Sequence, residues 1–399
     1  MAPTLIRTDS EKACPSISGM IHVDEYQAAF QSVKERTSSS PSGLHYTIWK
    51  TIAFDPLLAS YMTIMMRLPF MYGFKNDRWA KCIDVMLEKK KGVRKIHQLR
   101  IIGLLEADFN TALKLFFAKH LVHNAETTEL TDEQWGGRPF CTALDPALRK
   151  MLAFEYSRVM YVTILLFAND ATACFDRMVP AISTIIAMKY GMAPEVMISR
   201  NMVMEDMEHI IRTSHGDSTI TYRQNSDDVR INGETQGKGD VGSLWSIMSQ
   251  SILRAHQQLH DGICLPHIND DRMIKKNNDA YVDNDDGLTS RWDFDLPSSI
   301  AKTIADAQMG AQIWTDLLEG TGQSIAFHKS MWQLLGFDPA TFPPRIVDQA
   351  PHSITLKDRM GAPSTISQFR SDQPHWDASL LQMANRNRSS ISNYSRSNS

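Results

Sequence analysis

Two stretches constrain this chain more than any other: VTILLFANDATACFDRM (162–178) and NNDAYVDNDDG (277–287). Each contains a short apolar run that delivers an aspartate at or near its end. YVTILLF (161–167) has six apolar residues and Thr163, the pattern of a strand buried on both faces, and it leads to Asn169-Asp170. Ala280-Tyr281-Val282 leads in the same way to Asp283 on a tight hairpin, followed by Asn284, Asp285 and Asp286. A lone aspartate at a strand end is usually a cap or turn residue. Two of them, delivered by strands from distant parts of a chain, are what a two-metal phosphoryl-transfer site requires.

The rest of the composition is compatible with an enzyme core. The 399 residues suffice for two or three domain-sized units or one multi-lobed core, and 43% hydrophobic residues support a real interior. A net charge of −3 argues against a protein that coats nucleic acid but leaves room for a basic groove. Five scattered cysteines form no disulfide framework and point to a reducing compartment. No apolar run approaches the ~18–20 residues of a membrane span, and the N-terminus lacks the apolar core of a secretory signal. The expectation is an intracellular protein, nuclear or cytoplasmic, with no membrane partner.

Along the chain, helices are expected over 24–36 and, as a pair broken at Asp55-Pro56, over 45–73. CIDVML and LRIIGLL flank KKKGVRK, which reads as a β-hairpin whose tip carries Lys89, Lys90, Lys91, Arg94 and Lys95. Arg100, inside the second apolar run, calls for an anionic partner, and a phosphate is one candidate. Helices follow over 107–122 and from Asp145-Pro146. Another opens at Pro180, and one from Pro194 is expected to run past Ile211. STITYRQ (218–224) alternates like a strand. QGKGDVGSLWS (236–246) opens with three glycines in seven residues, which permit close backbone approach to a ligand, and then becomes a helix. A further helix is expected over 298–319, with two strand-like pieces around His328-Lys329. Beyond Asp338 the chain turns Pro-rich and then polar, ending in a tail of disordered composition.

Phe175, five residues after Asp170, suits a position beneath a nucleotide sugar, where it clashes with a 2′-hydroxyl; as an isolated aromatic it reads as core. Lys329 suits protonation of a leaving pyrophosphate, or else an exposed lysine at a strand start. His256, His260, Cys264 and His267 have spacings that zinc tolerates, but Asp261-Gly262 interrupts them, and a histidine pair at a helix end is more commonly structural.

Taken in order, these segments resemble a reverse transcriptase, closest to retroelement (retrotransposon) polymerases of algal and related genomes, over roughly 38–337. SSSPSGLHYTIWK resembles the opening of the fingers. MLEKKKGVRKIHQLRIIGLLEADFN resembles the fingers hairpin with its triphosphate-contacting arginine, Arg100, and with Lys90 also on the nucleotide. QWGGRPFCTALD resembles the segment joining fingers to palm. NDATACFDRM is similar to motif A, with Asp170 as metal aspartate and Phe175 as steric gate. QGKGDVGSLWS is similar to motif B, which puts Gln236 and Gly237 near nucleotide and template. YVDN is similar to motif C, and GQSIAFHKS to motif D, with Lys329. Motif C departs from the family pattern, aromatic–any–Asp–Asp: its second aspartate is Asn284, a neutral ligand. Asp285 or Asp286 could replace it only in a shifted register.

The resemblance implies an α+β right-hand polymerase: an antiparallel palm sheet packed on helices, a fingers subdomain, and a thumb reduced or absent. The expected divisions are an N-terminal extension (1–37), fingers (38–152), palm (153–337) and a truncated thumb region with the tail (338–399). It implies two Mg²⁺ ions, replaceable by Mn²⁺, held by Asp170, Asp283 and Asn284, with Lys329 completing the catalytic set. It also implies an RNA or DNA template with primer and deoxynucleoside triphosphates as partners. Two alternatives stand beside this reading. One is an RNA-directed RNA polymerase of the same palm fold, for which Asp176 speaks. The other is an inactive retroelement remnant that only binds nucleic acid, for which Asn284 speaks.

Overall fold

In the computed structural model of the protein, the described residues run from 14 to 369, with breaks at 35–36, 38–39, 90, 94, 129, 224–232, 267–272, 292, 294, 339–344 and 348–352. The expectations for Lys90, Arg94, His267 and the two chain ends fall outside them.

The fold is mixed α+β. It opens with α1 (Val23–Gln31), α2 (Tyr46–Phe54) and α3 (Pro56–Tyr72). The break between α2 and α3 has a local cause. Asp55 Oδ1 accepts the amides of Leu57 and Leu58, each at 2.9 Å, and Pro56 occupies the first helical position, where no amide donor is needed. β1 (Lys81–Glu88) and β2 (Leu99–Leu104) form the antiparallel hairpin expected around the basic segment. α4 (Ala107–Leu113) and α5 (Val122–Thr128) are joined by a π-helical stretch, Lys114–Leu121, into one continuous helical run. α6 (Leu144–Met160) starts one residue ahead of Asp145, whose carboxylate reaches back to the amide of Thr142 at 2.6 Å. β3 (Ile164–Asp170), α7 (Pro180–Lys189) and α8 (Pro194–Glu205) follow.

The helix expected to pass Ile211 stops at Glu205. Residues beyond it form β4 (Glu208–Thr213), which pairs in parallel with β1, and then β5 (Gly216–Arg223). Sheet pairing overrides the methionine-rich helical pattern there. The remaining elements are α9 (Val241–Leu259), β6 (Ile263–Pro266), β7 (Met273–Lys276), β8 (Asn278–Tyr281), β9 (Asn284–Ser290), α10 (Leu296–Gly320), β10 (Met331–Asp338), β11 (Arg345–Val347), β12 (Ile354–Lys357) and β13 (Pro363–Gln368).

The chain divides into two compact units that alternate along the sequence. One comprises Thr131–Cys174 and Ser249–Ser399, the other Ala2–Leu130 and Phe175–Met248. The first unit is built on a sheet of order β12-β13-β10-β3-β9-β8, with β11 also pairing β10. β3 is interior, antiparallel to β10 on one side and to β9 on the other. This double pairing explains its near-continuous apolar sequence. Ile164 and Leu166 on one face pack with Leu288, Leu335, Ile263 and Ala153 of α6. On the opposite face α10 is tied down: Trp314 Nε1 donates to Asn169 Oδ1 at 3.2 Å, and Ser299 Oγ meets Thr163 Oγ1 at 3.1 Å. The sheet continues past residue 337. β12 and β13 form a hairpin whose second strand runs parallel to β10.

The second unit has a mixed sheet of order β2-β1-β4-β5. Beside it Phe70, Trp79, Phe109 and Phe116 stack into an aromatic core. Arg78 binds Glu106 and Asp108 at its border.

Candidate functional site

The register of β3 against β9 fixes the site. Asp170 lies opposite Asn284, Asn169 opposite Asp285, and Ala168 opposite Asp286. Tyr281 pairs with Asn284 across the β8–β9 hairpin, which leaves Val282 and Asp283 as the turn. Val282 has φ +58°, a left-handed conformation that costs a β-branched residue about 1–2 kcal/mol. Neighbouring chain holds it there. Gln134 Oε1 accepts the amides of Val282 (3.3 Å) and Gly136 (2.8 Å). The amide of Ala280 donates to the carbonyl of Glu133, and that of Trp135 to the carbonyl of Ala280. Gly136 must be glycine for this fit, because a Cβ there would lie 2.3 Å from the amide nitrogen of Val282. The segment expected to join fingers to palm is therefore clamped along β8. On the other side of the turn, the carbonyl of Asp283 accepts the amide of Ala171 at 3.1 Å, tying the hairpin tip to the end of β3.

Strand alternation sends every second residue to the same face. Asp170, Asn284, Asp286 and Asp279 accordingly line one cleft of about 40 Å³, with Lys150 and Lys329. That volume admits an ion or a few waters. Each cleft carboxylate has a cation. Lys329 Nζ lies 2.7 Å from Asp170 Oδ2, and Lys150 binds Asp286. Arg149 Nη1 lies 2.9 Å from Asp279 Oδ1. The Arg149 guanidinium stacks over Trp135, whose Nε1 also donates to Asp279. Burial raises Asp279 to about 6, against the pull of Arg149.

Asp285 points to the opposite face. It is buried and accepts Nδ2 of Asn169 (3.0 Å) and of Asn278 (2.6 Å). Burial pushes it up to about 8, so it is protonated at neutral pH. It cannot stand in for the carboxylate that Asn284 lacks. Asp286 can contribute without any register shift, since it shares the cleft face with Asn284.

The structure brings Asp170, Asn284 and Lys329 together in the cleft. Asp283 sits in the adjoining turn, outside the cleft lining, with its Oδ1 3.5 Å from Asn284 Nδ2. Sequence reasoning missed Asp279, Asp286, Lys150 and Arg149. The period-two pattern of Asp279-Tyr281 and Asn284-Asp286 was the available signal, but it has no meaning until the hairpin register is known.

The remaining expected site residues belong to the second unit. Arg100 is exposed on β2, an edge strand. The anionic partner expected for it is therefore not required, because water solvates the guanidinium. Phe175 is half-buried in a one-turn helix, and its carbonyl accepts the amide of Glu234 at 2.7 Å. Gln236 and Gly237 lie against β2: the carbonyl of Gln236 accepts the amide of Gly103, and a Cβ on Gly237 (φ +109°) would lie 2.8 Å from the carbonyl oxygen of Gly103. The close approach expected there toward a ligand is made to the chain's own backbone. The segment is anchored by Arg200, fully buried between Glu234 and Asp240.

The histidine group is structural. His256 Nε2 meets the carbonyl of Gly310 (2.9 Å), and His260 Nε2 meets Asp306 Oδ2 (3.0 Å). Burial lowers His256 to about 4, so it stays neutral.

No protein-family model matches this chain, and no curated protein matches it.

Proposed function

We propose that the protein is a reverse transcriptase that extends a primer 3′-end with deoxynucleotides by metal-assisted phosphoryl transfer. One observation carries this reading. An interior strand ends in Asp170 directly against a hairpin tip bearing Asp283, and the lysine of the following segment, Lys329, reaches Asp170.

Asp170, Asp283 and Asn284 offer only oxygen donors, the set that suits Mg²⁺ rather than a softer metal. The ammonium on Asp170 marks the spot as one that favours cations. Two ions bound there would activate the primer hydroxyl and neutralise the triphosphate. The chain's own residues hold the geometry. β3 fixes Asp170 from both sides, and the Gln134 clamp holds the strained turn that presents Asp283. Lys329 is half-exposed, so its ammonium is free to leave Asp170 and donate a proton to departing pyrophosphate. By the resemblance, Phe175 excludes ribonucleotides.

A second reading, a remnant that binds nucleic acid without catalysis, is favoured by Asn284 in the cleft and by the cations on Asp170, Asp279 and Asp286. A primer-extension assay on a poly-A template with oligo-dT separates the two. The expected result is dTTP incorporation with Mg²⁺ or Mn²⁺ that disappears in Asp170→Asn. Preference for UTP makes the protein an RNA polymerase. No incorporation by the native chain, nor by Asn284→Asp, leaves the binding-only reading.

A further inference from the structure

The second unit contains a polar cluster that takes no part in the proposed reaction. Cys82 and Asp84 are two residues apart on β1 and face the same way. His209 is the partner of Cys82 on β4, and Tyr222 is the partner of His209 on β5. Three adjacent strands thus bring a thiol, a carboxylate, an imidazole and a phenol to one patch of sheet. Cys82 and Asp84 are each 1% exposed and His209 is 7% exposed. Asp84 is surrounded by donors: Cys82 Sγ lies 3.5 Å from Oδ1, His209 Nδ1 lies 3.0 Å from Oδ2, and the Tyr222 hydroxyl donates to Oδ2. Among the described residues no lysine or arginine bridges it. A carboxylate this deeply buried is ordinarily paired with a cation or coordinates a metal.

We propose that Cys82, Asp84 and His209 bind one divalent transition-metal ion of borderline softness, Zn²⁺ foremost. The donor atoms all lie within 4.8 Å of one another. A tetrahedral ion with bonds of about 2.0–2.3 Å has ligand–ligand edges of about 3.5 Å. The 3.0 Å from His209 Nδ1 and the 3.5 Å from Cys82 Sγ run to the two different oxygens of Asp84, so an ion that takes one of those oxygens draws the remaining ligand atoms, all within 4.8 Å, closer together. A sulfur ligand disfavours Mg²⁺ and Ca²⁺, and a mixed sulfur, nitrogen and oxygen set suits Zn²⁺. The Tyr222 hydroxyl, already on Asp84, becomes the outer partner that orients the ligating carboxylate.

A cavity of 430 Å³ adjoins the cluster. Cys82 and His209 line it together with Thr184, Asn201, Met204 and Lys238. It supplies an entry path and room for a fourth, exchangeable ligand such as water. Three protein ligands with one open position are the arrangement of a reactive zinc site rather than a closed structural one.

Binding balances with one proton. A cysteine ligates only as thiolate, so the ion displaces the sulfur proton to solvent. Asp84 binds as carboxylate. A ligating His209 is a neutral imidazole whose proton sits on the ring nitrogen that does not bind the ion.

Co²⁺ titration of the chelator-treated full chain tests the site by absorption. The expected result is one thiolate-bound ion per chain, read from a thiolate-to-cobalt charge-transfer band. Zn²⁺ should displace it without further proton release, whereas Zn²⁺ added to the metal-free chain should release about one proton per ion in weakly buffered solution. Cys82→Ser should abolish the band, Cys264→Ser should leave it, and Tyr222→Phe should weaken binding about 10–100-fold. Absence of the band in the native chain overturns the proposal, as does its survival in Cys82→Ser. If Cys82→Ser fails to fold, the native band, the proton count and the conservative Tyr222→Phe variant decide. Unchanged affinity in Tyr222→Phe then counts against the site. None of these readouts depends on polymerase activity.

Discussion

Asp285→Asn should stabilise the protein in a strongly pH-dependent way. In the folded state Asp285 is lifted from the ordinary 3.8 to about 8, chiefly by burial, with its two asparagine donors pulling the other way. Between pH 3.8 and 8 the folded protein therefore holds a proton at this position that the unfolded chain has lost. Stability falls as pH rises wherever the folded state binds more protons, here by about 1.4 kcal/mol per pH unit. The whole effect is present below the unfolded value and lost as pH climbs through the folded one. An asparagine mimics the protonated acid: its carbonyl oxygen can accept both Asn169 and Asn278. Its amide then occupies the place of Oδ1, which has no partner in the fold, but that cost is independent of pH. Urea unfolding at pH 5 and pH 8.5 isolates the pH-dependent part. The variant should gain on the order of 4 kcal/mol relative to the native chain between the two. Parallel pH profiles for both proteins would refute the reasoning, since Asp285 would then be ionised in the fold or not truly desolvated.

Two other substitutions probe the same unit. Lys150→Met leaves Asp286 without its cation; both side chains are largely buried, so a loss of about 3 kcal/mol is expected in chemical denaturation at neutral pH. Gly136→Ala places a methyl group against the backbone of Val282 and should cost about 1–3 kcal/mol, with faster proteolytic cleavage at the β8–β9 turn as the local readout.

Much of the fold was legible from the chain itself. The apolar run ending in Asp170 had to be an interior strand, because nothing shorter of apolar neighbours on both faces accommodates ILLF. Asp55-Pro56 and the basic connection around Gly92 carried their own stop and turn signals. What failed were the places where pairing overrides pattern. The residues after Met207 look helical and become β4 because β1 offers a parallel edge. Arg100 looked buried because its neighbours are apolar, but β2 is an edge strand with an open face.

The sequence by itself determined that two aspartates arrive at strand ends and that the second is followed by an asparagine. Only the tertiary structure decided what each acid in the DNDD run does. Register and alternation assign Asp283 to a strained turn, Asn284 to a place beside Asp170, Asp285 to a buried face where it holds its proton, and Asp286 to the cleft with Lys150. The same holds for Cys82, Asp84 and His209. Their distance along the chain gives no hint of a cluster, and the parallel pairing of β1 with β4 creates it. Spacing along one strand is local, whereas the neighbour across a sheet is chosen by the packing of the whole unit.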